Sequence, residues 1–253
     1  MRKTQKTQNT QNLIMGKHVI EELIKHAPNR ILEVYTSYSD KSKERKASII
    51  NVLQKLKIPV RLVSSQELFN LVGTDAHQSF VAKITPREYL SIDDLIEKDA
   101  ENDNTLYLML DQIYDPQNMG AILRVCEVFQ VDGVIFSKNR GTAITPVVTK
   151  TSSGASEFLP IAQVSNLATT LQKLQKENYY VITSELSEKS QDLVGFEFPK
   201  KSVLVMGSEG KGVQPLLSKL SDFKLSIPQW GKIGSLNVSQ ATSIFLYHWK
   251  TSH

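Results

Sequence analysis

Three stretches of this 253-residue chain carry side chains whose types and spacing could do chemistry. The first is Asp111-Gln-Ile-Tyr-Asp-Pro-Gln-Asn118-Met-Gly120-Ala-Ile-Leu-Arg124. With a helix starting at Pro116, Ile122, Cys126 and Phe129 share one side of the helical wheel. Arg124 falls on the opposite side, one turn beyond Gly120. A glycine there clears room beside a guanidinium, at a helix-propensity cost of about 1 kcal/mol. The same spacing also describes an ordinary surface arginine beside a tolerated glycine. The second stretch is Gly207-Ser-Glu-Gly-Lys-Gly212, after the apolar run Val203–Met206. A Walker loop requires Lys and then Ser/Thr after its second glycine, and Val213 follows Gly212 here. The dinucleotide pattern G-x-G-x-x-G fails as well. A carboxylate at Glu209 repels phosphate and suits a cationic, ribose-bearing ligand, while a plain strand-to-helix turn is the alternative. The third stretch runs from Ile227-Pro228 through Gly231, Gly234, Ser235, Leu236 and Asn237 to Ser239. Ser235, Asn237 and Ser239 could cap the last helix, but three polar residues interleaved with Leu236 and Val238 exceed what one cap requires. Glycine at strand ends lets a ligand approach the main chain closely. The second and third stretches are therefore expected to form one cofactor pocket lined by backbone groups.

Other chemistries have little support. His18, His26, His77, His248 and His253 show no metal-ligand spacing, so no metal is expected. The single cysteine, Cys126, excludes an intrachain disulfide framework. Its place on the apolar side of a helix makes it a small hydrophobe rather than a nucleophile. A reducing, cytoplasmic setting fits this cysteine usage. Apolar residues make up 40% of the chain and charged residues 22%, which is ordinary for a soluble globular protein. No apolar run reaches transmembrane length, so no membrane partner is expected. The first twelve residues are polar and basic, and read as a disordered tail rather than a secretory signal.

Net charge is +4 and unevenly spread. Residues 1–61 hold 13 Lys/Arg against 5 Asp/Glu, and the remaining 192 hold 17 against 21. A basic front on a slightly acidic remainder points to a polyanion such as RNA held by the front of the chain. Lys41, Lys43, Arg45 and Lys46 could equally solvate one helix face.

The elements that must position these groups form an α/β pattern. Helix is expected over Leu13–His26, strand over Ile31–Thr36, helix over Lys43–Leu56 and strand over Val60–Val63. A short helix with Ser65 as N-cap and a strand over Ser79–Ile84 follow. Residues 13–85 thus make a small αβαβαβ domain. Residues 86–104 read as a linker in which Ser91 caps a short helix over Ile92–Lys98. Residues 105–253 make the second domain. Thr105–Leu110 is a continuous apolar run, as a strand buried on both faces of a parallel sheet requires. Asp115 suits an N-cap with Pro116 first in the helix. Strands over Gly133–Phe136, Tyr179–Thr183, Val203–Met206 and Lys224–Ile227 alternate with helices at Pro146–Ala155, Asn166–Glu177, Pro215–Leu220 and Ser239–Trp249.

Taken together, the three clusters resemble the SpoU (TrmH-like) family of RNA 2′-O-ribose methyltransferases in the SPOUT superfamily. Asn118, Gly120 and Arg124 match its first motif, and Gly207, Glu209, Gly210 and Gly212 its second. Ile227, Pro228, Gly231, Ser235, Leu236, Asn237, Val238, Ser239 and Ala241 match its third, with Gln229 where the family usually has methionine. The front domain is similar to the family's substrate-binding domain through Gly16, His18, Glu22, Arg30-Ile31, Ile58-Pro59-Val60 and His77-Gln78. Ser79 stands there in place of the usual glycine. The pattern is closest to the branch acting on a guanosine ribose of large-subunit ribosomal RNA. A tRNA guanosine methyltransferase is the alternative within enzymes, and a non-catalytic RNA-binding or ribosome-assembly protein of the same fold the alternative outside them.

The resemblance implies a C-terminal domain whose parallel sheet ends in a trefoil knot, behind an L30e-like RNA-binding domain. It also implies a homodimer with the active site beside the subunit interface. S-adenosylmethionine is expected as cofactor, held by main chain at Gly207, Ile227 and Leu236, with Met206, Gly212 and Pro228 beside them. Arg124, Asn118, Glu209, Ser235 and Asn237 are the expected catalytic set. Since a guanidinium stays protonated in proteins, Arg124 is expected to bind phosphate and stabilise a developing alkoxide rather than act as a simple base.

Overall fold

A computed structural model of the chain describes residues 12–37, 43–232 and 234–252, with backbone alone for 43–46. The expected tail, apart from Asn12, and the side chains of Lys41, Lys43, Arg45 and Lys46 lie outside the described residues. Two compact units emerge. One comprises residues 1–87 and 144–157, the other residues 88–143 and 158–253.

The first unit runs β1 (Leu13–Met15), α1 (Lys17–His26), β2 (Ile31–Ser37), α2 (Lys43–Lys55), β3 (Val60–Val63), α3 (Ser65–Val72) and β4 (Phe80–Ile84). Its four-stranded sheet has the order β1-β4-β2-β3. The pairing of β4 with β1 and β2 is antiparallel, and that of β2 with β3 is parallel. Two local expectations are corrected. Leu13–Met15 is a strand rather than the start of the helix, because these three residues pair with Val81–Lys83 of β4, a partner no local period reveals. The α3 cap is Ser64 rather than Ser65. Its hydroxyl accepts the Glu67 amide while the Glu67 carboxylate accepts the Ser64 amide, a reciprocal capping box.

The segment 144–157 lies within the expected second domain, residues 105–253, but packs in this first unit. It contains α6 (Pro146–Thr151), shorter than expected because the chain turns at Ser152–Gly154. Val147 packs against the Met15, Leu68 and Val81 cluster. Glu157, with a side chain only 1% exposed, is ion-paired to Arg30 at 2.9 Å and to Arg87. Thr149 also donates its hydroxyl to that carboxylate. A buried carboxylate that lost such partners would be strongly destabilising, so the triad fixes where this segment sits.

The second unit contains α4 (Ile92–Lys98), β5 (Thr105–Leu110), α5 (Pro116–Val128), β6 (Gly133–Ser137), β7 (Ile161–Val164) and α7 (Leu167–Lys176). It continues with β8 (Tyr180–Ser184), β9 (Gln191–Asp192), β10 (Lys201–Met206), α8 (Pro215–Leu220), β11 (Phe223–Ser226) and α9 (Val238–Thr251). Its strands form one parallel sheet, β7-β6-β5-β10-β8-β11-β9. All six residues of β5 are buried. The sequence reading assigned no element to β7 or β9, which are short and defined by their neighbours. Within the span read as a linker, Ser91 does cap α4, and Ile92 and Leu95 enter the sheet's core beside Tyr107 and Val203.

The sheet reverses its direction of winding between β5 and β10. The crevice at that point, beyond the carboxyl ends of the strands, is where open parallel sheets take ligands. The amide of Asp111 extends the ladder there by donating to the Met206 carbonyl at 2.9 Å.

Ser79 carries a measurable cost in the first unit. Its φ is 64°, in the left-handed region that favours glycine. Its amide donates to His77 Nδ1 at 3.0 Å, and its carbonyl accepts from Thr36 Oγ1 at 2.9 Å. Both bonds use backbone groups that glycine would keep. Ser79→Gly is therefore expected to stabilise the protein by about 0.5–1 kcal/mol, after glycine's larger unfolded-state entropy is deducted. Denaturant unfolding of the two proteins checks this.

Candidate active site

Four strand ends supply the site. The loop after β10 turns back on itself, with Ser208 N–H donating to the Gly212 carbonyl at 3.1 Å and Gly212 N–H to the Ser208 carbonyl at 2.9 Å. That closure brings the Gly212–Val213 peptide against Gly207 so tightly that a Cβ on Gly207 would overlap backbone atoms. Because the obstruction is main chain, no rotamer change can relieve it. The glycine is required by close approach, as the sequence suggested, although the approaching group here is the loop itself.

Beside this loop lies a cavity of about 620 Å³. Met206, Gly207 and Gly212 line one side of it, and Ile227, Ser235 and Leu236 another. Glu209 and Asn237 also border it. Of the residues expected to hold a cofactor, Pro228 alone is not part of the lining, although its neighbours Ile227 and Gln229 are. Ser184, Glu185 and Leu186, at the end of β8, line the cavity and were missed. Their signal was available, since they directly follow a recognised strand of a parallel sheet.

Among the described residues, the main-chain groups of Gly207, Ile227 and Leu236 make no hydrogen bond. Backbone donors and acceptors in folded proteins are nearly always paired. Three loops that leave such groups open around one cavity suit a ligand that presents its own donors and acceptors. The volume is within the range of cofactor sites.

Asn237 ties the expected catalytic residues together. As N-cap of α9, its Oδ1 accepts from Ser239 N–H at 2.8 Å and from Ser239 Oγ at 2.6 Å. That commits its carbonyl oxygen to the helix and turns Nδ2 the other way. Nδ2 donates to Asn118 Oδ1 at 2.9 Å and to Glu209 Oε1. Asn118 lies in the first turn of α5, which Asp115 caps by accepting from the Gln117 and Asn118 amides. The three sequence stretches thus meet at one amide.

Arg124 is not drawn into this node. It is exposed on α5, forms no hydrogen bond or ion pair with another described residue and does not line the cavity. Ile122 and Cys126 on the opposite side of the helix are fully buried, as the helical wheel required. Burial pushes the Cys126 thiol well above its ordinary range, which makes it inert. Ser235 is exposed at the cavity rim with its hydroxyl unbonded among the described residues. The site thus holds an assembled part, Asn118–Asn237–Glu209, and two open polar groups, Arg124 and Ser235.

Comparison with known proteins bears on what this assembly is. The family model of the SpoU rRNA methylase family matches residues 105–247. A second, for RNA 2′-O ribose methyltransferase substrate binding, matches residues 13–90. The chain belongs to the SpoU rRNA methylase family. It is 35% identical over 92% of its length, and 95% of the relative's, to the 23S rRNA (guanosine-2′-O-)-methyltransferase RlmB of Haemophilus ducreyi. It is 31% identical over 92% of its length, and 93% of the relative's, to a putative TrmH family tRNA/rRNA methyltransferase, YacO, of Bacillus subtilis. Among solved structures, the SpoU methyltransferase AviRb of Streptomyces viridochromogenes in complex with AdoMet shares the fold. Its TM-score is 0.75 at 17% identity, covering 94% of this chain and 89% of that one. An AdoMet-bound rRNA methyltransferase of Sinorhizobium meliloti also has a TM-score of 0.75, at 20% identity, over 94% and 86% of the two chains.

Gly207→Ala tests the loop directly. It is expected to open the Ser208–Gly212 closure and to lower the unfolding temperature of the second unit in calorimetry. The first unit should be untouched, with α/β circular dichroism retained.

Proposed function

We propose that this protein is an S-adenosylmethionine-dependent RNA 2′-O-ribose methyltransferase that acts on a guanosine of large-subunit ribosomal RNA. The observation that carries the reading is the cavity bounded by open main-chain groups at Gly207, Ile227 and Leu236, beside the Asn118–Asn237–Glu209 node. Identity to RlmB proteins over nearly the whole chain supports the guanosine and ribosomal target.

Gly207, Ile227 and Leu236 would hold the cofactor through main chain, with Met206 and Gly212 in the wall. S-adenosylmethionine supplies a methyl group on a cationic sulfur that is already a good leaving group. The protein's part is then to bring a ribose 2′-oxygen into line and to ease loss of its proton. Arg124 has an unengaged guanidinium, suited to an RNA phosphate and to the negative charge that develops on the oxygen. Ser235, with a free hydroxyl at the rim, orients the ribose. Asn237 holds Asn118 and Glu209 in fixed positions, so the carboxylate stands at the cavity edge, where a cationic sulfur is favoured. The proton passes to water or is shared with the site's polar groups.

A homodimer is part of the same proposal. Val128 on α5 and Ile244 and Tyr247 on α9 are 64%, 40% and 61% exposed, on two helices that pack together through Phe129 and Tyr247. Covering this face with a second copy would bury the apolar side chains and could present Arg124 to a neighbouring site. The knotted C-terminal fold, the L30e type of the front unit and a cytoplasmic location complete the reading.

Mapping of 2′-O-methyl groups in ribosomal and transfer RNA, with and without the protein, tests the function. One guanosine in large-subunit RNA should lose its methyl group when the protein is absent. A lost mark in transfer RNA instead would overturn the target. Arg124→Ala should reduce methyl transfer at least 100-fold while calorimetric affinity for S-adenosylmethionine stays within about twofold. Loss of both together would sink this division of labour.

A further inference from the structure

A second cavity, of about 450 Å³, opens at the carboxyl ends of β6 and β7, on the other side of β5 from the cofactor cavity. Its lining is mixed. Leu216, Leu217 and Ala168 form apolar wall, and Ser137, Asn139 and Arg140 supply polar groups. Arg140 is the one charged residue in the lining.

The arginine is held in place by a chain of bonds whose directions are forced. Asp111 at the end of β5 is fully buried and can only accept. It takes the Gln214 backbone amide on Oδ2 at 2.8 Å and the Gln214 side-chain Nε2 on Oδ1 at 2.5 Å. Gln214 must therefore turn Oε1 outward, where it accepts from Arg140 Nη1 at 3.0 Å. The loop bearing Arg140 is fixed from behind, with Thr142 N–H donating to the Ile113 carbonyl at 2.8 Å. Gly141 lies so close that a Cβ there would come within 3.1 Å of the same carbonyl oxygen. One edge of the guanidinium is used, and its remaining N–H groups have no partner among the described residues. Ser137 is 4% exposed, and its hydroxyl accepts from Asn139 N–H at 3.3 Å. That hydroxyl's own proton has no acceptor among the described residues.

We propose that this cavity receives an unstacked guanine base of the substrate RNA, read by Arg140. The inference rests on the RNA methyltransferase reading above. A phosphate or a protein carboxylate could pair with the guanidinium but would leave the wall of Ala168, Leu216 and Leu217 uncovered, whereas a flat ring covers it. A purine fits the volume and its faces suit the leucine walls. Guanine presents two adjacent acceptors, O6 and N7, which match parallel guanidinium donors, whereas adenine sets an amino group against them. Enzymes that act on a nucleotide commonly take its base out of the stack into such a pocket. Gln214 is a positioning residue. It follows Gly212 by two residues, so the loop that closes on Gly207 also sets the arginine's direction.

The test uses the full chain and short single-stranded RNA oligonucleotides with one guanosine, or with adenosine or 7-deazaguanosine in its place. Binding is followed by fluorescence anisotropy and methyl transfer is measured in parallel. The wild type should prefer guanosine over both replacements by about 10-fold or more. Arg140→Ala should bind all three alike. Gln214→Leu should weaken the preference without changing the salt dependence. A wild type with no preference, or an Arg140→Ala protein that keeps it, overturns the pocket. If the preference is present and Arg140-dependent but no RNA is methylated, the pocket stands and the enzymatic reading falls. Methyl transfer without an Arg140-dependent preference has the opposite meaning.

Discussion

The side-chain amide of Asn237 is the constraint on which the site depends. Its carbonyl oxygen is committed to the start of α9, and its two N–H groups are thereby directed at α5 and at the loop after β10. Residues 119 and 28 positions away are held by one planar group whose orientation has no freedom left. Asn118 and Glu209 are each engaged through one oxygen, which leaves the outer Glu209 carboxylate oxygen open toward solvent and the cavity. That pairing ties the start of α9 to α5 and to the loop after β10 at the border of the cavity of about 620 Å³.

The parallel sheet makes the pairing possible. Because β5, β10 and β8 are covered on both faces, the chain must leave the sheet at the strand ends, and there the irregular backbone collects. Side by side along that edge are the ends of β6, β5, β10, β8 and β11. Asp111 stands at the centre of this row. Its buried carboxylate organises Gln214 on one side, while its amide pairs with Met206 on the other. The same edge therefore supports two cavities with different walls. One is rich in open main-chain groups and the other carries Arg140, bonded to Gln214.

Much of the second unit is legible in the sequence for a physical reason. A strand buried on both faces is largely apolar, as Thr105–Leu110 is, and Asp115-Pro116 is a local start signal that needs no distant partner. Ser91 over α4 is legible in the same way. Leu13–Met15, Ile161–Val164 and Gln191–Asp192 are not, because segments of two to four residues gain strand geometry from the neighbour they pair with. The segment 144–157 shows the same limit at a larger scale. Its membership in the first unit depends on Glu157 meeting Arg30 and Arg87, 127 and 70 positions away.

The sequence by itself determined the family, the three polar clusters and the side of α5 on which Arg124 stands, because motif spacing and helical period are local properties. Only the tertiary structure decided that Asn118, Glu209 and Asn237 share hydrogen bonds while Arg124 and Ser235 stay open. It alone showed that Gly207 is required by the backbone of its own loop, and that Asp111 acts through Gln214 on Arg140. Each of these depends on which chain segments are brought within hydrogen-bond reach, a distance that no spacing along the chain contains.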